Sequence, residues 1–220
     1  MDADGAGDEA VDGAARRARA RVVILAGPSG AGKTRLAVRL QEAHGWPILR
    51  LDDFYRDHDD PALPRHETLG IADWDHVDSW DKAAALAALE DLVERGRTTT
   101  PTYDISISQR VGSSELSCRP TDLILAEGIF AAELIAPLRE RGLLRAAYCV
   151  RHRPWKTFAF RLVRDLAERR KPPLVLLRRG WTLKQAEPAL VKRLARLGAI
   201  PVSAREVEAA LTGVPVSPDA

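Results

Sequence analysis

The sequence predicts an α/β fold, a parallel sheet with helices on both faces. Three observations carry this. Short, wholly apolar runs recur along the chain, as strands buried on both sides require. Helix-forming stretches separate them. The first apolar run leads through a glycine-rich loop straight into a helix. That loop, Gly27-Pro28-Ser29-Gly30-Ala31-Gly32-Lys33-Thr34, has the phosphate-binding pattern Gly-x-x-x-x-Gly-Lys-Thr. Strand, loop and helix together are the context that gives the pattern meaning.

The elements follow in order. Residues 1–20 are rich in Asp, Gly, Ala and Arg and are expected to be a disordered lead-in. Arg21–Ala26 is the first strand. Leu36–Ala43 is helical by propensity, with Leu36, Leu40 and Ala43 on one face. Pro47–Leu51 is a second strand running into Asp52-Asp53, and a polar stretch, Arg56–Thr68, follows. Lys82–Arg95 is an Ala/Leu-rich helix, with Asp78 or Ser79 as N-cap and Gly96 as its stop. Residues 98–118 are expected to form a hairpin insertion, with Gly112-Ser113-Ser114 marking a turn. Leu123–Ala126 is the clearest buried strand and ends at Glu127-Gly128. A helix Ala131–Arg141 and a strand Ala146–Val150 come next. The rest reads as helical: Trp155–Arg170, Leu183–Leu197 and Ala204–Leu211. Residues 213–220, with Pro215 and Pro218, read as a tail. Residues 21–212 therefore make one domain.

The 220-residue chain is long enough for one full core, and its formal net charge is +2. That balance gives no general case for nucleic acid; only an Arg-rich late segment is locally basic. No apolar run approaches the ~20 residues of a membrane span. Residues 1–20 hold no apolar stretch resembling a signal peptide. Two lone cysteines, Cys118 and Cys149, lack metal-ligand spacing and point to a reducing, cytoplasmic setting. His76 and His152 have no partner at metal spacing, so plain structural roles are expected. Trp74 and Trp80 are expected to fill core or prop a loop rather than stack on a ligand. Self-association is left open.

In such sheets, ligands bind beyond the carboxyl ends of the strands. That rule gathers Lys33, Asp52 and Glu127 at one edge. Glycines 27, 30 and 32 let backbone approach phosphate oxygens, and the helix start supplies N–H groups and a positive dipole end. Lys33 would reach the β/γ-phosphates. Thr34 and a strand-end carboxylate, Glu127, suit a metal ion, with Asp52 beside them. Phosphoryl transfer also needs an aligned acceptor oxygen and a base. Asp52 and Asp53 both qualify, and the residues alone do not rank them.

Five further segments resemble the uridine–cytidine kinases. Leu51-Asp52-Asp53-Phe54-Tyr55-Arg56 is similar to that family's Asp-x-Phe-Tyr segment. Trp74-Asp75-His76-Val77-Asp78-Ser79-Trp80-Asp81 resembles Phe-Asp-His-Pro-x-Ala-Phe-Asp. Pro101-Thr102-Tyr103-Asp104 resembles Pro-x-Tyr-Asp, and Ala126-Glu127-Gly128-Ile129 resembles Phe-Glu-Gly-Ile. The run from Arg161 to Arg169 resembles an Arg-rich lid helix. The matches run in family order over residues 22–171. The resemblance implies a P-loop NTPase fold and an ATP- and Mg²⁺-dependent kinase of a nucleoside 5′-hydroxyl, uridine or cytidine foremost. It implies Asp52 as the base, with Lys33, Arg164 and Arg169 catalytic. It implies Tyr55, Asp75, Tyr103 and Arg161 as substrate contacts, and residues 153–180 as a lid.

The chain departs from that pattern in three places. Ser108 stands where the family carries a base-reading His five residues after the matching Tyr. Arg170-Lys171-Pro172-Pro173 replaces a Gly-Arg step. Residues 172–220 show no match to the family's late strand and adenine-side loop. Because Ser108 breaks the base-reading pattern, kinases of another small alcohol, such as pantothenate or a sugar phosphate, stay open. A nucleotide-binding regulatory protein is the alternative from a different class.

Overall fold

The computed structural model describes residues 19–66, 70–151 and 187–213. The expected lead-in, the Trp155–Arg170 helix, the lid, His152 and the tail beyond Gly213 lie outside these residues.

Five strands form one parallel sheet in the order β2-β5-β1-β6-β7. They are β1 (Arg21–Ala26), β2 (Ile48–Arg50), β5 (Leu123–Glu127), β6 (Leu144–Val150) and β7 (Ile200–Val202). β1 lies at the centre and is buried from Val22 onward. Its alternate residues serve two cores, because successive side chains on a strand point to opposite faces. Val22, Ile24 and Ala26 join Ile124, Ala126 and Leu49 on one face. Val23 and Leu25 join Leu125 and Val150 on the other.

Helix α1 (Lys33–His44) covers the second face with Leu36, Ala37 and Leu40. Ala37 takes the place expected for Ala43, which is exposed. Helix α2 (Lys82–Arg95) covers the first face with Ala85, Ala88, Leu89, Leu92 and Val93. Those positions form one helical stripe. Its bounds match expectation and Gly96 ends it, but its cap is Asp81 rather than Asp78 or Ser79. The Asp81 carboxylate accepts the Ala84 N–H at 2.9 Å, a contact worth about 1 kcal/mol. The Ser79 hydroxyl instead donates to Trp74 O.

The hairpin is present as β3 (Arg97–Asp104) and β4 (Gln109–Ser117), paired antiparallel. Its turn lies at 105–108, not at Gly112–Ser114, which belongs to β4. Asp104 makes that turn by accepting both the N–H and the hydroxyl of Ser106. The expected helix Ala131–Arg141 is divided into a 3-10 turn, Ala131–Leu134, and α3 (Ile135–Glu140). Pro137 cannot donate the backbone bond that would join the two. Residues 187–196 form α4. Next comes β7, which the sequence reading missed, then α5 (Ala204–Thr212), held by a Ser203/Glu206 capping box. Among the described residues no helix is long and apolar enough to cross a membrane.

Candidate active site

The glycine loop joins β1 to α1 at the carboxyl edge of the sheet. Gly27 is required there: its φ is +141°, and a Cβ would lie 2.3 Å from Val150 O. No side chain caps the start of α1, so its first-turn N–H groups suit an anion. Lys33 is buried, and its Nζ donates to Gly27 O at 2.9 Å and Pro28 O at 3.2 Å. The ammonium thus folds back over the loop it would serve.

The Thr34 hydroxyl donates to Glu127 Oε1 at 3.0 Å, across 93 residues of sequence. Glu127 is the buried last residue of β5. Burial raises its pKa, and the Asp52 charge adds to that; Lys33, the Thr34 hydrogen bond and Arg50 oppose it. Asp52 sits in the 3-10 turn Leu51–Phe54 that follows β2. Its surface is exposed to solvent. Burial raises its pKa, against the pull of Lys33 and a hydrogen bond from the Ile129 N–H. Gly128 makes this closeness feasible, since a Cβ there would meet Leu51 Cβ at 2.8 Å and Asp52 Oδ1 at 3.2 Å.

Asp53 turns the other way. Its Oδ1 accepts the Tyr103 N–H at 3.4 Å, tying the turn to the hairpin. Beside Asp52, the Tyr55 ring is about 6 Å from the rings of Trp74, Tyr103 and Phe130. Burial, with the charges of Asp52 and Asp75 nearby, pushes the Tyr55 phenol well above its ordinary value. Trp80 stacks on Phe130 and is almost wholly buried. It is a core residue, as expected, though its buried Nε1 has no hydrogen-bond partner. His76 also has the expected structural role: its Nδ1 accepts the Asp78 N–H and caps the turn Val77–Ser79.

No family model matches the chain. It is 32% identical to a uridine kinase of Lactobacillus helveticus over 113 residues, 49% of this chain and 51% of that one. It is 29% identical to a uridine kinase of Brevibacillus brevis over 151 residues, 67% of each. The chain thus spans between half and two thirds of the length of these relatives. A solved structure from Silicibacter sp. TM1040, provisionally designated a fructose transport system kinase, superposes with a TM-score of 0.58. The superposition covers 81% of this chain and 87% of that one at 17% identity, which is a likeness of fold. The chain is thus similar in sequence to uridine kinases over half to two thirds of its length.

At the carboxyl edge of the sheet the structure brings together Lys33, Thr34, Asp52 and Glu127, with Tyr55 near Asp52 and Asp75, and Tyr103 near Tyr55. Arg161, Arg164 and Arg169 lie outside the described residues. The Tyr103 hydroxyl donates to Arg56 O at 2.9 Å. Ser108 lies near its phenol and draws its pKa down, against the larger upward push of burial. The tyrosine therefore presents a ring rather than a free hydroxyl. Arg50, at the end of β2, acts electrostatically on both Asp53 and Glu127. Its place two residues before Asp52 was the available signal, and the sequence reading passed over it.

The oxygen set fits Mg²⁺. Among the described residues no cluster of three or more His, Cys, Asp or Glu could cage a metal. Mg²⁺ does not ask for one: it keeps several waters and takes one or two carboxylates plus substrate phosphates. The Thr34–Glu127 pair, with Asp52 near Glu127, supplies that kind of partial shell.

Proposed function

We propose that this chain is a kinase that uses ATP and Mg²⁺ to phosphorylate the 5′-hydroxyl of a ribonucleoside, uridine or cytidine foremost, in the cytoplasm. The observation that carries the proposal is the convergence of a phosphate-loop lysine, a Thr34–Glu127 pair and a solvent-facing Asp52 at one edge of the sheet, beside aromatic rings. A simple nucleotide switch has no need of the last two features.

Lys33 exchanges its carbonyl partners, Gly27 and Pro28, for phosphate oxygens. Thr34 and Glu127 would hold Mg²⁺, which would supply neutralisation of phosphate charge. Asp52 accepts the proton of the acceptor hydroxyl as its oxygen bonds to the γ-phosphorus. The bond from that phosphorus to the β–γ bridging oxygen breaks, and ADP leaves. Asp52 suits this better than Asp53, whose carboxylate is occupied by the Tyr103 N–H. Asp75 would bind the ribose diol, and Tyr55 and Tyr103 would pack on the acceptor.

The test is a screen of ribonucleosides, 2′-deoxynucleosides and vitamin-like or sugar alcohols with Mg-ATP, read by product mass. Phosphorylated uridine or cytidine is expected, with 2′-deoxynucleosides poor, because losing one diol oxygen leaves a polar group unpaired. Turnover of pantothenate or a sugar phosphate, with no ribonucleoside product, overturns the nucleoside assignment.

A further inference from the structure

We infer that Asp57 is a positioning residue that fixes the β3–β4 hairpin against the segment carrying Asp52, and so sets acceptor affinity. The inference rests on the kinase reading above. Four hydrogen bonds join the two pieces of chain. Asp53 Oδ1 accepts the Tyr103 N–H. The Tyr103 hydroxyl donates to Arg56 O. The His58 N–H donates to Ser108 O at 2.9 Å. Asp57 Oδ1 accepts the Arg110 N–H at 2.7 Å, the shortest of the four.

Arg110 is where the hairpin needs help. Tyr103 pairs with Arg110, but Thr102 pairs with Gly112, so Val111 is an extra residue and the ladder is interrupted. A bulge bends its strand and leaves the local pairing incomplete. Asp57 takes up the Arg110 N–H at that break. The tip beyond the bulge carries Tyr103, whose ring is 6.0 Å from Tyr55. Tyr55 in turn lies three residues after Asp52. Asp57 thus fixes one aromatic wall relative to the other and touches neither the glycine loop nor Glu127.

The test compares Asp57→Ala, Asp57→Asn and a control, Asp60→Ala. Asp60 lies on the same loop, pairs with Arg56 and caps Ala62. With uridine and Mg-ATP, Asp57→Ala is expected to raise the uridine KM ~5-fold, the worth of one partly solvated hydrogen bond, with kcat and the ATP KM within ~2-fold. Asp57→Asn keeps an accepting oxygen and should stay near wild type, as should Asp60→Ala. Amide exchange by NMR gives a readout independent of turnover. Arg110 should exchange faster in Asp57→Ala while 113–116 keep their protection. An unchanged uridine KM, an Asn variant as impaired as the Ala variant, or unchanged exchange at Arg110 overturns the inference. If the wild type turns over no nucleoside, the nucleoside reading fails instead, and Arg110 exchange still decides whether the clamp exists.

Discussion

Burial holds Glu127 and Asp52 above the ordinary carboxylate range, and it makes both a burden on the ligand-free protein. The sign follows from linkage. A carboxyl whose native pKa exceeds its unfolded pKa stabilises below the unfolded value, and that advantage is lost as pH rises through the native value. The contribution of these two groups to stability without ligand should therefore be lost as pH rises above about 4. Glu127→Gln removes one such charge while keeping an acceptor for Thr34. At pH 7.5 it is expected to raise the ligand-free Tm by ~2–4 °C, which is about 1 kcal/mol in a chain this size. The same variant should need more Mg²⁺ for turnover, since an amide is a poorer partner for a hard cation. Calorimetry and a Mg²⁺ titration check the two halves; a lower Tm means the charge is stabilising after all. Asp52→Asn should cut kcat ~10²–10⁴-fold with nucleotide affinity little changed. Wild-type kcat/KM should fall toward acid with a midpoint above the usual ~3.9 of aspartate. Asp53→Asn should be milder in turnover; if it is the crippling change, the base has been misassigned by one residue.

At the scale of elements, legibility followed periodicity. Helix α2 was readable to its end residues because Ala and Leu repeat at helical spacing and Gly96 stops them. The strand-end rule found Lys33, Asp52 and Glu127, since each follows an apolar run. The hairpin was found but its turn was misplaced. Gly112-Ser113-Ser114 has turn composition, yet Asp104 and Ser106 make the turn through side-chain hydrogen bonds that composition does not rank. β7 was missed because it has only three residues and contains Pro201, which an edge strand tolerates. The Asp57 contact and the ring cluster around Tyr55 depend on how residues 55–80 fold, and that stretch has no period to read. One prediction belongs here. Gly128→Ala drives a methyl into Leu51, which can yield only by moving the turn that holds Asp52. Overpacking of this kind costs ~1–3 kcal/mol. Turnover should fall by more than that destabilisation accounts for, measured at a temperature where the variant is fully folded. Normal kcat in a folded Gly128→Ala protein would place Asp52 outside the chemistry.

For the whole molecule, occupation of the glycine loop should report as stability. Ligand at a hundredfold excess over Kd contributes ~2.7 kcal/mol. Mg-ATP is therefore expected to raise the wild-type Tm clearly and that of Lys33→Ala little, with the acceptor absent from both. Equal shifts would mean that Lys33 does not hold phosphate. The chain's order adds a further consequence. Asp52, Tyr55, Asp57, Asp75 and Tyr103 all fall between β2 and β5. The glycine loop, Glu127, β6 and β7 all fall outside that interval. Under the proposed assignment, the choice of acceptor is encoded in one uninterrupted passage of the chain and the handling of phosphate in the text around it. A descendant could exchange the passage whole, as a cassette, and inherit a new alcohol without relearning the transfer.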